Sequence, residues 1–148
     1  MAKKGSKKAK HDKTPQDSKT AKHEKQPEGY QGMLIAWHLQ HMDKGGAWSC
    51  TINDLETIKK RLHEFEKMKW REALQPLSNH PIPINKICEA ARRRLSELNY
   101  GDTHLLYQLE IKGSRGKQRL WGIRRENVFQ ILWWDPQHTV YPVYKKNT

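Results

Sequence analysis

The residues best suited to chemistry in this chain are a run of cations followed by a histidine. Between positions 112 and 125 there are six basic residues and no acidic residue: Lys112, Arg115, Lys117, Arg119, Arg124 and Arg125. His138 lies in the turn that follows the next apolar segment. Basic side chains bind phosphate groups, and histidine exchanges a proton near neutral pH. The pattern predicts phosphate binding beside a proton-transfer group, with a solvated basic face and a turn-capping histidine as the structural alternatives.

The charge of the whole chain indicates the class of partner. The formal net charge is +12 over 148 residues. Residues 1–27 contain nine lysines and three acidic residues and account for half of that charge. The remainder of the chain is therefore basic without its lysine-rich beginning. Such a charge favours nucleic acid as the partner.

Several other classes of protein are disfavoured by the composition. Cys50 and Cys88 lie far apart and form no CxxC motif, which argues against a disulfide framework and a zinc ribbon. No histidine pair has the spacing of a zinc site, so we expect no metal or other cofactor. No apolar run approaches the roughly 20 residues of a membrane span. We expect a cytoplasmic protein without a membrane partner.

The composition changes near residue 32. Residues 1–32 contain almost no aliphatic side chain larger than alanine, so we expect a disordered, lysine-rich arm. Its role is solubility or a weak electrostatic tether, with specific recognition as the alternative. Residues 33–146 are long enough to form a single domain around one core.

Two helices and an opening strand are predicted in the first half of this domain. Alternation of apolar residues over 33–40 predicts a strand. Helical spacing predicts a helix from about 54 to 74, capped at Asn53, and a second helix over 84–98. Pro81 and Pro83 between them predict a rigid connection.

The second half of the domain predicts antiparallel strands. The period of two favours strands at 105–111 and 118–124, and the unbroken apolar run at 128–134 is typical of a central strand. Residues 139–144 can add a last strand. The predicted fold class is α+β in the order β-α-α-β-β-β, with an optional fourth strand at the end. The two helices form a hairpin on one face of an antiparallel sheet, and the other face stays open.

The strand at 118–124 places a constraint on its two arginines. Arg119 and Arg124 are five positions apart. They therefore lie on opposite faces of an ideal strand, and only a bulge would bring both to the open face.

The element order and three segments resemble the RelE/ParE-like toxin superfamily of toxin–antitoxin systems. These segments are the Gly-rich turn leading into residues 119–124, the apolar residues 128–132, and His138 with Tyr141. The resemblance spans about residues 33–144. It implies either cleavage of mRNA, usually on the ribosome, as in RelE-type members, or poisoning of a protein target, as in ParE-type members. It also implies a cognate antitoxin, expected here to be an acidic protein.

Metal-free cleavage of RNA needs a base for the 2′-OH proton, cations for the developing phosphorane and an acid for the leaving oxygen. We expect the catalytic residues to be Arg119, Arg124 and His138. Further contacts to nucleic acid are expected from Lys112, Arg115, Lys117, Tyr141 and Tyr144, the tyrosines by stacking on bases. His80 and His104 could reach the same rim. A second general base is not evident, and a non-catalytic RNA- or DNA-binding module remains the alternative hypothesis.

Overall fold

The computed structural model describes residues 26–111 and 116–142 of the chain. These residues form a mixed α+β domain, and the predicted fold class is confirmed. The elements in chain order are helix α1 (Gln26–Gln31), strand β1 (Ala36–His38), helices α2 (Ile52–Glu66) and α3 (Trp70–Ala73), strand β2 (His80–Pro83), a 3-10 turn (Ile84–Lys86), helix α4 (Glu89–Glu97), and strands β3 (Leu105–Glu110), β4 (Arg119–Arg125) and β5 (Val128–Asp135).

The five strands form one sheet in the order β1-β5-β4-β3-β2. Strand β5 lies between two neighbours, which agrees with the central position predicted from its apolar run. Strand β1 pairs with β5 in parallel, whereas the other three pairings are antiparallel. The expectation of a wholly antiparallel sheet was therefore wrong at one edge.

Strand β2 was missed because its prolines suggested a rigid connection. It forms the edge of the sheet and pairs with β3 from His80 opposite Gln108 to Pro83 opposite Leu105. The Ile84 N–H donates to the His104 carbonyl of the neighbouring chain segment, 3.0 Å away. Alternate residues of a strand direct their N–H groups to opposite sides, so Pro81 and Pro83 occupy the outward positions. Proline is tolerated there because no ladder hydrogen bond is lost.

The helices lie on both faces of the sheet, not on one face as predicted. One core joins α2 and α3 to the first face and includes Ile58, Phe65, Trp70, Leu109, Leu120 and Ile131. A second core joins α4 to the opposite face and includes Ala91, Leu95, Leu106, Trp121, Leu132 and Trp133. The edge strand β2, which was not predicted, lies between α3 and α4 in the chain and separates the two predicted helices. Helices therefore cover both faces of the central strand β5, which is apolar on both faces.

Several predicted boundaries also change. The long first helix stops at Glu66 and resumes as the short α3, and its capping box is formed by Thr51 with Asp54, upstream of the predicted Asn53. Residues 139–142 of the predicted last strand are not a strand, and 143–144 lie outside the described residues. Helix α1 falls within the segment that was expected to be disordered.

An ion pair between a buried aspartate and a partly exposed arginine ties the connection between β1 and α2 to the second core. Arg94 of α4 donates from Nε to Asp43 Oδ2 at 2.9 Å and from Nη2 to Asp43 Oδ1 at 2.7 Å. Trp133 Nε1 on β5 donates to the same Oδ2 at 2.9 Å. The Gly45 N–H donates to Oδ1 at 3.0 Å. Asp43, only 2% exposed, therefore joins the connection, the helix and the central strand.

Replacing Asp43 with alanine should strongly destabilise the domain. The change leaves the buried Trp133 N–H without its acceptor and removes the partner of Arg94. We expect the free energy of unfolding to fall by about 3 kcal/mol, the lower part of the range for breaking a buried pair, since Arg94 is partly exposed. Urea denaturation measures it. Glu97→Ala, which removes the exposed partner of the same arginine, is the control; an equal effect of both changes would contradict the role of Asp43.

The contribution of Asp43 to the stability of the domain should disappear in acid. Burial alone would raise the pKa of Asp43, but hydrogen bonds from Arg94, Gly45 and Trp133 outweigh burial and lower the pKa below its ordinary value of 3.8. The stabilisation is then complete above the unfolded-state pKa and is lost as pH falls through the lower folded-state pKa. Urea denaturation of the wild type and Asp43→Asn should give a constant difference from about pH 7 to about pH 5, which shrinks below about pH 4. A difference that grows in acid would refute this assignment.

Candidate functional site

Three buried charged residues form a row across three neighbouring strands. Arg119 at the start of β4 pairs with Glu110 on β3 and with Asp135 on β5. The exposed fractions are 9% for Arg119, 7% for Glu110 and 1% for Asp135. Directly paired residues direct their side chains to the same face, here the face covered by α4. Such a row is unusual because charged residues are rarely buried without a purpose or a partner.

Asp135 fixes the turn that carries His138. Its Oδ2 accepts hydrogen bonds from Trp121 Nε1 at 3.1 Å and from the Val140 N–H at 3.0 Å. Its Oδ1 accepts from the N–H and the hydroxyl of Thr139, at 2.9 and 3.2 Å. His138 adopts the left-handed conformation with φ of 61°, which is uncommon for a residue other than glycine. The surrounding hydrogen bonds therefore determine where the histidine is placed.

Glu110 is held from the loop before β2. Its Oε1 accepts a hydrogen bond from the Ser78 hydroxyl at 2.6 Å, and its N–H donates to Asn79 Oδ1 at 2.6 Å. Asn79 in turn donates to the Ala73 carbonyl at 2.9 Å. The remaining oxygen, Oε2, lies 4.0 Å from Arg119 Nη1. One carboxylate oxygen is thus anchored, and the other lies close to the guanidinium without a hydrogen bond.

Buried polar atoms without a hydrogen-bond partner concentrate on this face of the sheet. Among the described residues there are six such side-chain atoms, and five of them are His80 Nδ1, Gln108 Oε1, Glu110 Oε2, Arg119 Nε and His138 Nε2. An unpartnered buried group costs about 1–3 kcal/mol. Such groups are few in native proteins, and each calls for an explanation such as a catalytic role or a bound water or ion. The concentration marks this end of the sheet as the candidate site.

The protonation of His138 follows from its surroundings. Burial lowers the pKa of His138 below its ordinary value of 6.5, and the positive charge of Arg119 lowers it further. The carboxylates of Asp135 and Glu110 oppose this effect without cancelling it. His138 is therefore neutral at pH 7 and able to accept a proton. Burial also lowers the pKa of Arg119, against the opposing effect of the two carboxylates, and its guanidinium remains charged.

Arg124 does not join this site. Its guanidinium carbon lies 4.2 Å from the centre of the Trp70 ring and 5.7 Å from that of Tyr107, on the face covered by α2 and α3. The only register shift between β4 and β5 places the additional residue, Leu132, in β5. Strand β4 thus keeps its alternation, and the grouping of Arg124 with Arg119 and His138 is corrected for that reason.

The other predicted contacts have mixed outcomes. Lys117 is exposed, and its charge adds to the lowering of the His138 pKa, so it belongs to the surroundings of the site. Tyr141 is half-buried and packs against the core under α4. Lys112, Arg115 and Tyr144 lie outside the described residues.

Sequence reasoning missed Glu110, which supplies a second group able to accept a proton. Gln108 and Glu110 alternate with apolar residues on β3, and this alternation indicated only a strand. The row with Arg119 depends on the register between β3 and β4, and local sequence does not determine that register. The available signal was an Arg and a Glu at facing positions of two consecutive antiparallel strands.

Within residues 26–111 and 116–142, no three His, Cys, Asp or Glu side chains converge as a metal site. No helix in the same part of the chain is long and apolar enough to cross a bilayer.

The pKa of His138 tests the geometry of the site directly. Because the charge of Arg119 lowers the His138 pKa, Arg119→Gln should raise it. Imidazole nitrogen shifts followed by NMR over about pH 4 to 9 measure this value. Arg124→Gln removes the same charge from the opposite face and should leave the pKa unchanged. Equal responses to the two changes would show that Arg119 does not lie beside His138.

Comparisons with known proteins add no relative to this description. No protein-family model, curated protein or solved structure matches the chain. The arrangement of Arg119, Glu110 and His138 is therefore the basis on which a function can be proposed.

Proposed function

We propose that this chain is a metal-independent endoribonuclease of the RelE-like toxin type, acting on RNA in the cytoplasm. The observation that carries the proposal is that Arg119 pairs across the strands with Glu110 and with Asp135, which fixes the turn of His138. Arg119, Glu110 and His138 each have a buried polar atom without a protein partner. The net charge of +12 supports a polyanionic substrate. An acidic antitoxin remains part of the proposal, since its charge would complement that of this basic chain.

His138 is assigned the proton transfers. The neutral imidazole accepts the 2′-OH proton, the 2′ oxygen attacks the adjacent phosphorus, and the bond to the 5′ oxygen breaks. The imidazolium then gives its proton to the leaving 5′ oxygen, just as the histidine of a Ser-His-Asp triad protonates the leaving group in acyl transfer. The products are a 2′,3′-cyclic phosphate and a 5′-hydroxyl end. This chemistry requires the 2′-OH and therefore selects RNA over DNA.

Arg119 is assigned the stabilisation of the phosphorane. A guanidinium in a site that excludes water stabilises developing negative charge more strongly than one at the surface. The Arg119 Nη1 donates to the carbonyls of Gly116 and Gln118, each 3.2 Å away. Glu110, which Ser78 holds in place, puts Oε2 4.0 Å from the same nitrogen. Glu110 Oε2 also provides a second proton acceptor beside Arg119, the group that the sequence analysis lacked.

A non-catalytic nucleic-acid-binding module is the second candidate. The observation that favours it is the position of Arg119 between two buried carboxylates, since a buried cluster of balanced charges can be structural. In that case RNA would bind through the surface cations, with a salt dependence set by phosphate contacts and without cleavage.

Cleavage of labelled mRNA in the presence of EDTA, with and without ribosomes, separates the two candidates. We expect cleavage that leaves a 2′,3′-cyclic phosphate, and His138→Ala should slow it by about 100-fold or more. Arg119→Lys should also slow it, because the bidentate fork is lost while the charge is kept. Arg124→Ala, on the other face, should stay within a few-fold of the wild type.

Circular dichroism of each variant would establish that it is folded. Cleavage that survives His138→Ala in a folded protein, or tight binding without cleavage by the wild type, would reject the ribonuclease proposal.

A further inference from the structure

A polar groove lies against the same end of the sheet as the candidate site, but on the other face. It encloses about 420 Å³ between helix α2 and the ends of β3 and β4, within the range of about 300–1,000 Å³ that ligand sites occupy. Lys60, Arg61 and Glu64 of α2 line one side, and Ile111 and Gln118 line the other. The groove is thus built from one helix and two strand ends.

The groove and the site share their backbone. Ile111 and Gln118 directly adjoin the site residues Glu110 and Arg119 in the chain, and the Ile111 N–H donates to the Gln118 carbonyl at 3.1 Å. Arg61 Nε donates to the Glu110 carbonyl at 3.3 Å. The carboxylate of Glu110 faces the site while its carbonyl faces the groove. A single layer of backbone therefore separates the two.

The charge of the groove is positive. Lys60 is exposed, and among the described residues no carboxylate lies within ion-pair distance of it. Arg61 pairs with Glu64 at 3.0 Å and stacks on Phe65 with its guanidinium carbon 4.3 Å from the ring centre, so its position is fixed. Lys117 adjoins Gln118 and is exposed.

A second groove on α2 provides the contrast. It encloses about 350 Å³ and is lined by the apolar side chains Trp37, Leu39, Leu55 and Leu62, with Lys59, His63 and Glu66 at its borders. Lys59 is paired with Glu56 at 3.1 Å. Adjacent lysines of one helix thus border two grooves of different character, and the groove of Lys60 is the one beside the site.

We propose that the groove of Lys60 and Arg61 binds the phosphate backbone of single-stranded RNA, as the strand passes around the end of the sheet from the site at Arg119. The identity of the ligand rests on the proposed function. The phosphate oxygens accept hydrogen bonds from the ammonium of Lys60 and from the free donors of Arg61, while Gln118 supplies a neutral donor. These contacts position a strand without reading its sequence.

Binding of a 2′-O-methyl RNA oligonucleotide tests the groove, because that RNA cannot undergo attack by its own 2′ oxygen. Fluorescence anisotropy of the labelled oligonucleotide gives the affinity between about 50 and 300 mM salt. If Lys60 contacts one phosphate, Lys60→Ala should reduce the slope of log affinity against log salt by about 0.7. The loss of affinity should be the same for oligonucleotides of different sequence. Lys59→Ala, the neighbouring change in the other groove, should leave the slope unchanged.

The outcomes separate this inference from the proposed function. Equal slopes for the wild type and Lys60→Ala would overturn it, as would equal reductions by Lys59→Ala and Lys60→Ala, which would reflect net charge alone. Failure of the wild type to bind RNA would also overturn it. A Lys60-dependent slope in a protein that cuts no natural RNA would support the groove and reject the ribonuclease.

Discussion

The arrangement of this domain depends on the hydrogen bonds that the buried carboxylate of Asp135 accepts. It accepts hydrogen bonds from the core indole of Trp121 and from the turn that holds His138. That turn is joined to helix α4, since the Val140 carbonyl accepts from the Cys88 N–H at 2.8 Å. It is also joined to the connection after β1, since Trp48 Nε1 donates to the Thr139 hydroxyl at 2.8 Å. One buried side chain therefore relates the sheet, the covering helix and the candidate site to each other.

The alternation of side chains along β4 determines which charges meet. Arg119, Trp121 and Ile123 direct their side chains toward α4, and Arg124 directs its side chain toward Trp70. Gly122 lies on the side of Trp70, where a Cβ atom would come within 2.6 Å of the Phe129 ring. Because residue 122 is glycine, the Phe129 ring can approach the strand closely, and the apolar core under α2 continues beneath Arg124. The two arginines thus serve different faces because the strand that carries them has no bulge of its own.

The sequence allowed part of this arrangement to be predicted. Periodicity and composition were sufficient for the α+β class, the central position of residues 128–134 and the separation of Arg119 from Arg124 on opposite faces. Strand β2 was hidden because Pro81 and Pro83 resemble a loop until their outward position at a sheet edge is known. Missing that strand placed both helices on one face. Glu110 was missed because its neighbours are set by pairing between strands, which is a tertiary property.

The two edges of the sheet restrict how another chain can associate with it. On β2, Pro81 and Pro83 present no N–H groups outward, so an added strand would find acceptors but too few donors. On β1, the Ile35 N–H already donates to the Met68 carbonyl, and the Met33 carbonyl accepts from the Trp70 N–H. Beyond these two hydrogen bonds, the open edge on this side is limited to the short strand β1, which has three residues. Extension of the sheet by a foreign strand is therefore disfavoured, and a protein that binds this domain would have to use its helical faces or the end that carries His138.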